Sequence, residues 1–300
     1  MAQHASLPNP FLRWAGGKRR LAGQIVSVFP SDFNPVLNRY HEPFLGGGAV
    51  TFHLGNSSSR LFVPGKQLCL NDSNEDLIIA YKMIRDCVEK LMIELDSLAR
   101  DTSRKRYEEI RKQIPKSEIK RAARFIYLNK TCFNGLWRVN NKGEFNVPWG
   151  KLKNPLIYDR QNLSSVSLRL QDSRITNLSY VAALEQATEG DVVYLDPPYV
   201  PLNTTSNFSK YAKEDFGVLD QYALAGAIQG LTDRGVRVIL SNSDTQLTRQ
   251  IFGKILNLQT VTAGRSISAK ASSRGTVSEI IGINFNSKVL FNLAKVKLVG

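Results

Sequence analysis

The apolar run Val192-Val193-Tyr194-Leu195 stops abruptly at Asp196-Pro197-Pro198-Tyr199. The run has strand composition, and neither proline can donate to a sheet, so the strand must end at or before Asp196. The same layout recurs along the chain. "LNRYHEPFLGGGAVTFHL" (37–54) reads as strand, glycine turn and helix start. "KQLCLNDSNEDLIIAY" (66–81) reads as a strand ending near Asn71-Asp72 that opens a helix. Ser73 or Asn74 suits the N-cap, with Glu75 and Asp76 in the first turn. Apolar residues then recur at three- and four-residue steps from Leu77 to Leu95, so this helix is expected to run to about Leu98. Further on, "VLDQYALAGAIQGLTDRG" (218–235) is an amphipathic helix and "VRVILSNSD" (236–244) another strand. "KILNLQTVTAG" and "VSEIIGINFN" can form a terminal β pair. Strands alternating with helices specify an α/β sheet domain.

The segment 100–156 breaks that alternation. "SRKRYEEIRKQI" and "SEIKRAARFIYLNK" look like two basic helices. In the following stretch, "LWRV" and "EFNV" flank "NNKG" as a hairpin would. Residues 101–160 carry 15 Lys or Arg against 6 Asp or Glu, most of the excess behind the chain's net charge of +14. Uneven basicity of this kind marks polyanion binding, although a solvated helical face would look the same. The expected organisation is a discontinuous α/β sheet domain, 1–75 and 157–300, with the basic segment 76–156 inserted in it.

Other classes are disfavoured. Three hundred residues allow one large domain or two moderate ones. No apolar run approaches the ~18 residues of a membrane span, and the start carries no signal-peptide pattern. A cytoplasmic location is expected, with no membrane and no obligatory protein partner. Cys69, Cys87 and Cys132, beside only His4, His41 and His53, suggest neither a zinc site nor a disulfide framework.

Gly46, Gly47 and Gly48 follow a strand directly, where glycines let backbone approach a ligand. A dinucleotide pattern would need glycine at 51, where Thr51 stands, and Gly17-Lys18 is followed by Arg19 rather than the Ser or Thr of a P-loop. Glu42 precedes the glycines, and Asp72 ends the next strand. An acid at Asp72 can accept the hydroxyls of a ribose, or it can cap the following helix. The glycine turn itself can be structural or ligand-binding. Taken with the acid-Pro-Pro-Tyr motif in this order, these residues favour a nucleoside cofactor without pyrophosphate.

"FLRWAGGK" (11–18), "EPFLGGG" (42–48) and "DPPY" (196–199) resemble the motifs of Dam-type DNA adenine methyltransferases, which act within GATC. The resemblance continues through "VPLNTTSNFSKY" (200–211), "ILSNSDTQLTR" (239–249) and "GRSIS" (264–268). In the basic insert, "FNGLWRVNNKGEFNVPWGKLKNP" (133–155) resembles the family's target-recognition hairpin. The resemblance implies a methyltransferase fold that uses S-adenosylmethionine: an open twisted, mostly parallel sheet with terminal antiparallel strands. It also implies double-stranded DNA as partner and no metal. Trp14, Lys18, Glu42, Phe44, Gly46, Gly48, Asp72 and Tyr180 would hold the cofactor together with Asp196. Arg13, Phe133, Asn134, Leu136, Arg138 and Pro148 would contact DNA, with Arg138 reading guanine. Phe133 stands where relatives carry Tyr, and Arg13 where Lys is common.

The catalytic residues would be Asp196, Pro197, Pro198 and Tyr199. An adenine amino nitrogen is a poor nucleophile because its lone pair is delocalised into the ring. Two acceptors, the Asp196 carboxylate and the Pro197 carbonyl, would favour a pyramidal nitrogen, and Tyr199 would stack on the purine. Alternatives are a catalytically dead DNA-binding module, an enzyme acting on RNA or on protein glutamine, and a nicotinamide dehydrogenase. The intact acid-Pro-Pro-Tyr motif opposes the first. A protein-glutamine enzyme would have Asn in place of Asp196 and no need of the basic hairpin. The missing third glycine opposes the dehydrogenase.

Overall fold

A computed structural model describes residues 7–54, 63–199, 216–264 and 276–287. The stretch 200–211 and residues 265–268, quoted above for their resemblance, lie outside the described residues. The chain divides into two compact units. One comprises Met1–Arg19, Gly46–Lys66 and Asp72–Asn177; the other Arg20–Leu45, Gln67–Asn71 and Leu178–Gly300.

Among the described residues the strands are β1 Tyr40–Glu42, β2 Leu68–Asn71, β3 Arg174–Thr176, β4 Val192–Leu195, β5 Arg237–Ser243, β6 Asn257–Gly264 and β7 Thr276–Ile283. They form a mostly parallel sheet in the order β3-β2-β1-β4-β5-β7-β6. β1 runs parallel to β2 and β4, and β4 runs parallel to β5, with Val193 opposite Val238 and Leu195 opposite Leu240. β7 is antiparallel to both β5 and β6, so the expected terminal β pair is present, inserted beside β5. This is the sheet of an S-adenosylmethionine-dependent methyltransferase fold.

In the second unit the core forms where the side chains of β4 and β5 meet helices. Val193, Leu195, Val238 and Leu240 pack with Leu224, Ile228 and Leu231 of the helix Val218–Asp233, and with Ile251 and Phe252 of the helix Gln246–Phe252. The spacing of Leu224, Ile228 and Leu231 puts them on one helical face. At the opposite end of β1 and β4, His41 Nε2 meets Asp191 Oδ2 at 3.0 Å, and Asp191 also accepts from the Arg39 and Thr188 amides. The His41 interaction and these amides outweigh burial and hold the Asp191 carboxyl below its ordinary range.

The first unit is helical. The helix Glu75–Ala99 starts at Asn74, whose side chain accepts from the Leu77 amide, and Glu75 and Asp76 occupy its positive end. It is not continuous: Cys87 has φ −143° and ψ 36°, which breaks the helical geometry. Its apolar face packs with the helix Glu118–Thr131, and the helix Arg104–Lys112 packs on the latter. These are the two basic helices expected from the sequence. The hairpin is anchored on them. Trp137 lies between Phe125 and Phe145, ring centroids 4.2 and 4.5 Å away, and the Tyr107 hydroxyl donates to the Val147 carbonyl at 2.7 Å. Asn140 builds the turn, its Oδ1 accepting from the Lys142 and Glu144 amides.

Candidate active site and recognition hairpin

In an open α/β sheet, ligands bind beyond the carboxyl ends of the strands where the strand order reverses. Here the reversal falls between β1 and β4. Glu42 ends β1 and Asp196 follows β4. Both positions are therefore dictated by the fold.

Around β4 the acid-Pro-Pro-Tyr motif is held by a buried polar network. The Ser241 hydroxyl donates to Asp196 Oδ1 at 2.9 Å. Its one hydrogen being so used, Ser241 Oγ accepts from the Tyr194 hydroxyl 2.8 Å away. The Pro198 carbonyl accepts from Gln221 Nε2 at 2.9 Å, and Gln221 Oε1 accepts from Asn242 at 3.2 Å. The Tyr199 hydroxyl donates to Glu279 Oε2 at 2.8 Å. Burial, reinforced by the carboxylates of Asp196 and Glu279, pushes the Tyr199 phenol well above its ordinary range, so it stays neutral. Ser241, Glu279, Gln221 and Tyr194 had no assigned role in the sequence reading. Ser241 and Asn242 lie in a stretch read as a strand and matched by resemblance, and Glu279 in the expected terminal β pair, but nothing local marks any of them as a partner of the motif.

Also in the second unit, Glu42 is buried and its Oε2 accepts from the Tyr40 hydroxyl at 2.9 Å. Phe44 stacks on Tyr180, centroids 5.4 Å apart and planes 29° apart, and Phe216 meets both edge-on. Phe44, Tyr180 and Phe216 thus form an aromatic platform in the second unit.

In the first unit Trp14, Gly46, Gly48 and Asp72 are brought together. Gly46 has φ +47°, and a β-carbon there would lie 2.7 Å from Trp14 Nε1. Gly48 has φ +66°, and its β-carbon would lie 2.7 Å from the Tyr81 hydroxyl, which donates to the Gly46 carbonyl. The turn must therefore be glycine for both conformation and space. The Gly46 amide donates to Asp72 Oδ2 and the Asn74 amide to Asp72 Oδ1, each at 2.9 Å. Burial raises the Asp72 carboxyl above its ordinary value, and backbone donors from Asn74, Gly46 and Ser73 oppose that rise. Asp72 does not cap the helix through the usual N-cap contact; Asn74 does, and Asp72 orders the turn before it. Lys18 is buried and donates to the Gly16 carbonyl at 2.8 Å.

The residues expected to read DNA also sit in the first unit. Arg13, Phe133, Asn134, Arg138 and Pro148 are exposed, and Leu136 is half-buried. The Phe133 amide donates to the Pro148 carbonyl at 2.9 Å, which closes the hairpin base. Arg138 Nε donates to Asn146 Oδ1 at 2.7 Å across the strands, and the Asn146 amide donates to the Arg138 carbonyl. Asn134 adopts φ +53° at the loop corner.

The strand order, with an antiparallel strand inserted next to the last and an acid-Pro-Pro-Tyr loop at the switch point, defines a methyltransferase. Comparison with known proteins narrows the class. Residues 14–267 match the family model "D12 class N6 adenine-specific DNA methyltransferase". The chain is 40% identical over 293 residues to the type II methyltransferase M.MjaIII of Methanocaldococcus jannaschii, covering 92% of this chain and 99% of that protein. It is 39% identical to the type II methyltransferase M1.LlaDCHI of Lactococcus lactis subsp. cremoris, covering 93% and 96%. To the DNA adenine methylase of Escherichia coli K12 it is 34% identical over 277 residues, covering 91% and 94%. The chain belongs to the D12 class of N6 adenine-specific DNA methyltransferases, and it is an enzyme. Among the described residues no helix is long and apolar enough to cross a membrane.

Proposed function

We propose that the protein transfers a methyl group from S-adenosylmethionine to N6 of an adenine flipped out of duplex DNA, within GATC. The observation that carries the reading is the acid-Pro-Pro-Tyr loop, its carboxylate tied to Ser241 and its ring tied to Glu279.

The residues present fit the cofactor. Gly46 and Gly48 leave no room for a side chain against Trp14 and Tyr81, so the backbone itself lines the turn. The Asp72 carboxylate, held by backbone donors, would accept a ribose hydroxyl as well. Glu42 offers a buried carboxylate to a cationic group, and Phe44 and Tyr180 offer aromatic faces to an adenine. Trp14 packs against the same turn, and Lys18, held by the Gly16 carbonyl, lies in the adjoining segment. When bound, S-adenosylmethionine supplies a methyl group activated on a sulfonium.

The chain's own groups do the rest. Asp196 and the Pro197 carbonyl each accept one N6 hydrogen and direct the nitrogen lone pair toward the methyl group. Tyr199 holds the purine by its face, and Pro198, locked to Gln221, stiffens the loop. On methylation N6 would shed a proton toward the Asp196 carboxylate, which lies ready to accept it. Flipping the base costs a few kcal/mol. Contacts of the insert, residues 76–156, offset it: basic side chains meet phosphates, and the hairpin enters the major groove. Arg138 reads guanine, Leu136 and Pro148 meet thymine methyl groups, and Phe133 with Asn134 fills the stack. Arg13 reads the outer guanine.

Labelled S-adenosylmethionine with two duplexes, one carrying GATC and one with a single base changed, tests the reading. Label as N6-methyladenine in the first only is expected. Equal label in both would remove GATC and the hairpin's role.

A further inference from the structure

Asn129 lies in the last turn of the helix Glu118–Thr131 and is fully buried. Asparagine is a poor helix former, and a buried amide costs stability unless its hydrogen bonds are made. Its side-chain hydrogen bonds all leave the helix. Oδ1 accepts from the Arg13 amide at 2.9 Å. Nδ2 donates to the Arg13 carbonyl at 2.7 Å and to the Gly135 carbonyl at 3.2 Å. Both backbone groups of Arg13 are therefore held by one side chain, as a neighbouring strand would hold them. The second Nδ2 hydrogen ties the same point to the loop that opens the hairpin.

Gly135 gives an independent sign of the same junction. It has φ +65°, and a β-carbon there would lie 2.3 Å from Arg13 Cβ. Arg13 thus packs on the bare backbone of the loop between Asn134 and Leu136. The side chain of Arg13 itself is exposed. Its point of departure is fixed while its guanidinium reaches outward.

We propose that Asn129 is a positioning residue for sequence readout, clamping Arg13 and the loop Phe133–Leu136 into one rigid register so that the outer base and the hairpin-read bases are examined together. The proposal rests on the reading of Arg13 and the hairpin as DNA contacts. Asn129 touches no base; it acts through the two elements it joins. A purely structural amide at this place would alter stability without altering which bases are accepted.

The test compares Asn129→Ala, Gly135→Ala and Arg13→Ala with the wild type, using kcat/KM on GATC and on duplexes with each base pair of the site changed singly. Arg13→Ala is expected to relax discrimination at the outer base pair only, by roughly tenfold, as for loss of one good base contact. Asn129→Ala is expected to relax the outer and the hairpin-read positions together, each by roughly tenfold, with S-adenosylmethionine affinity unchanged. Gly135→Ala keeps the clamp residue and displaces Arg13, so it should reproduce the Asn129→Ala pattern and decides the matter if Asn129→Ala does not fold. Relaxation by Arg13→Ala with wild-type discrimination in both other variants would overturn the clamp and leave the DNA-contact reading standing. Unchanged discrimination in Arg13→Ala would overturn that reading, and the clamp with it.

Discussion

Replacing Ser241 by alanine separates two things that its hydroxyl does at once. Ser241 is fully buried; it accepts from the Tyr194 hydroxyl and donates to Asp196. Tyr194 is itself only 1% exposed. Removing Oγ strands that hydroxyl, at about 1–3 kcal/mol for an unsatisfied buried donor. It also removes a hydrogen bond to a carboxylate, about 1.5–3 kcal/mol. Because one atom makes both bonds, the combined loss should be roughly 2–4 kcal/mol rather than the full sum. Under the proposed function turnover should fall separately, because Asp196 loses an anchor. A displacement of an ångström at a reacting group can cost on the order of a hundredfold.

A second substitution makes the separation measurable. Tyr194→Phe added to Ser241→Ala removes the stranded hydroxyl, so about 1–3 kcal/mol of stability should return. The Asp196 anchor does not return, and neither should turnover. Urea unfolding gives the first quantity, and single-turnover methylation at saturating DNA and cofactor gives the second. Unchanged turnover in Ser241→Ala would show that Ser241 does not orient Asp196. Recovery of both stability and turnover in the double variant would show that the single variant acts only through loss of packing order.

The remaining expectations use the same network, the glycine turn and the buried phenols. Tyr199→Phe and Glu279→Gln should each reduce stability, and a double-mutant cycle should give a coupling of about 1–3 kcal/mol, as for a hydrogen bond to a charged group; additive losses would dissociate the pair. Gly46→Ala places a β-carbon against Trp14 at a left-handed φ and should weaken S-adenosylmethionine binding at least tenfold by calorimetry, whereas wild-type affinity would remove the turn from the cofactor site. Burial raises the phenols of Tyr107, Tyr127, Tyr194 and Tyr199, that of Tyr127 to about 12. In the unfolded chain they ionise near 10, so above that pH the unfolded state holds fewer protons and stability falls as pH rises. The urea midpoint should be steady below about pH 10 and decline above it; a flat profile to pH 11.5 would contradict the burial of these hydroxyls.

What was legible in the sequence was local. Asn74 as N-cap, the stop of β4 before two prolines, the face of Leu224, Ile228 and Leu231, and the "NNKG" turn each depend on neighbours within a few residues. The unread features depend on distant partners. Glu279 is 80 positions from Tyr199, and Ser241 meets Asp196 only because β4 and β5 pair with Leu195 opposite Leu240. The break at Cys87 lies inside a run whose apolar periodicity continues on both sides, so periodicity could not reveal it. The helix Arg160–Leu170 was not anticipated for a related reason: it buries Ser165, Ser167 and Arg169, and burial of polar residues erases the apolar stripe that would announce it. Asn129 was equally silent, since its partners, Arg13 and Gly135, come from two separate segments.

The inserted antiparallel strand explains how the motif tyrosine obtains its partner. β4 and β5 run parallel and deliver Asp196 and Ser241 side by side at their carboxyl ends. A further parallel strand beside β5 would bring its last residues to that edge, at the start of a connecting loop. β7 runs the opposite way, so its first half lies there instead, with Glu279 opposite Ser243 and Ile281 opposite Ser241. Glu279 therefore sits in a strand paired on both sides, opposite Ser243 of β5 and Val261 of β6. A carboxylate carried by a doubly paired strand is held more firmly than one on a loop. The reversed strand thus supplies a rigid acceptor to Tyr199, the ring that would stack on the adenine in the proposed function.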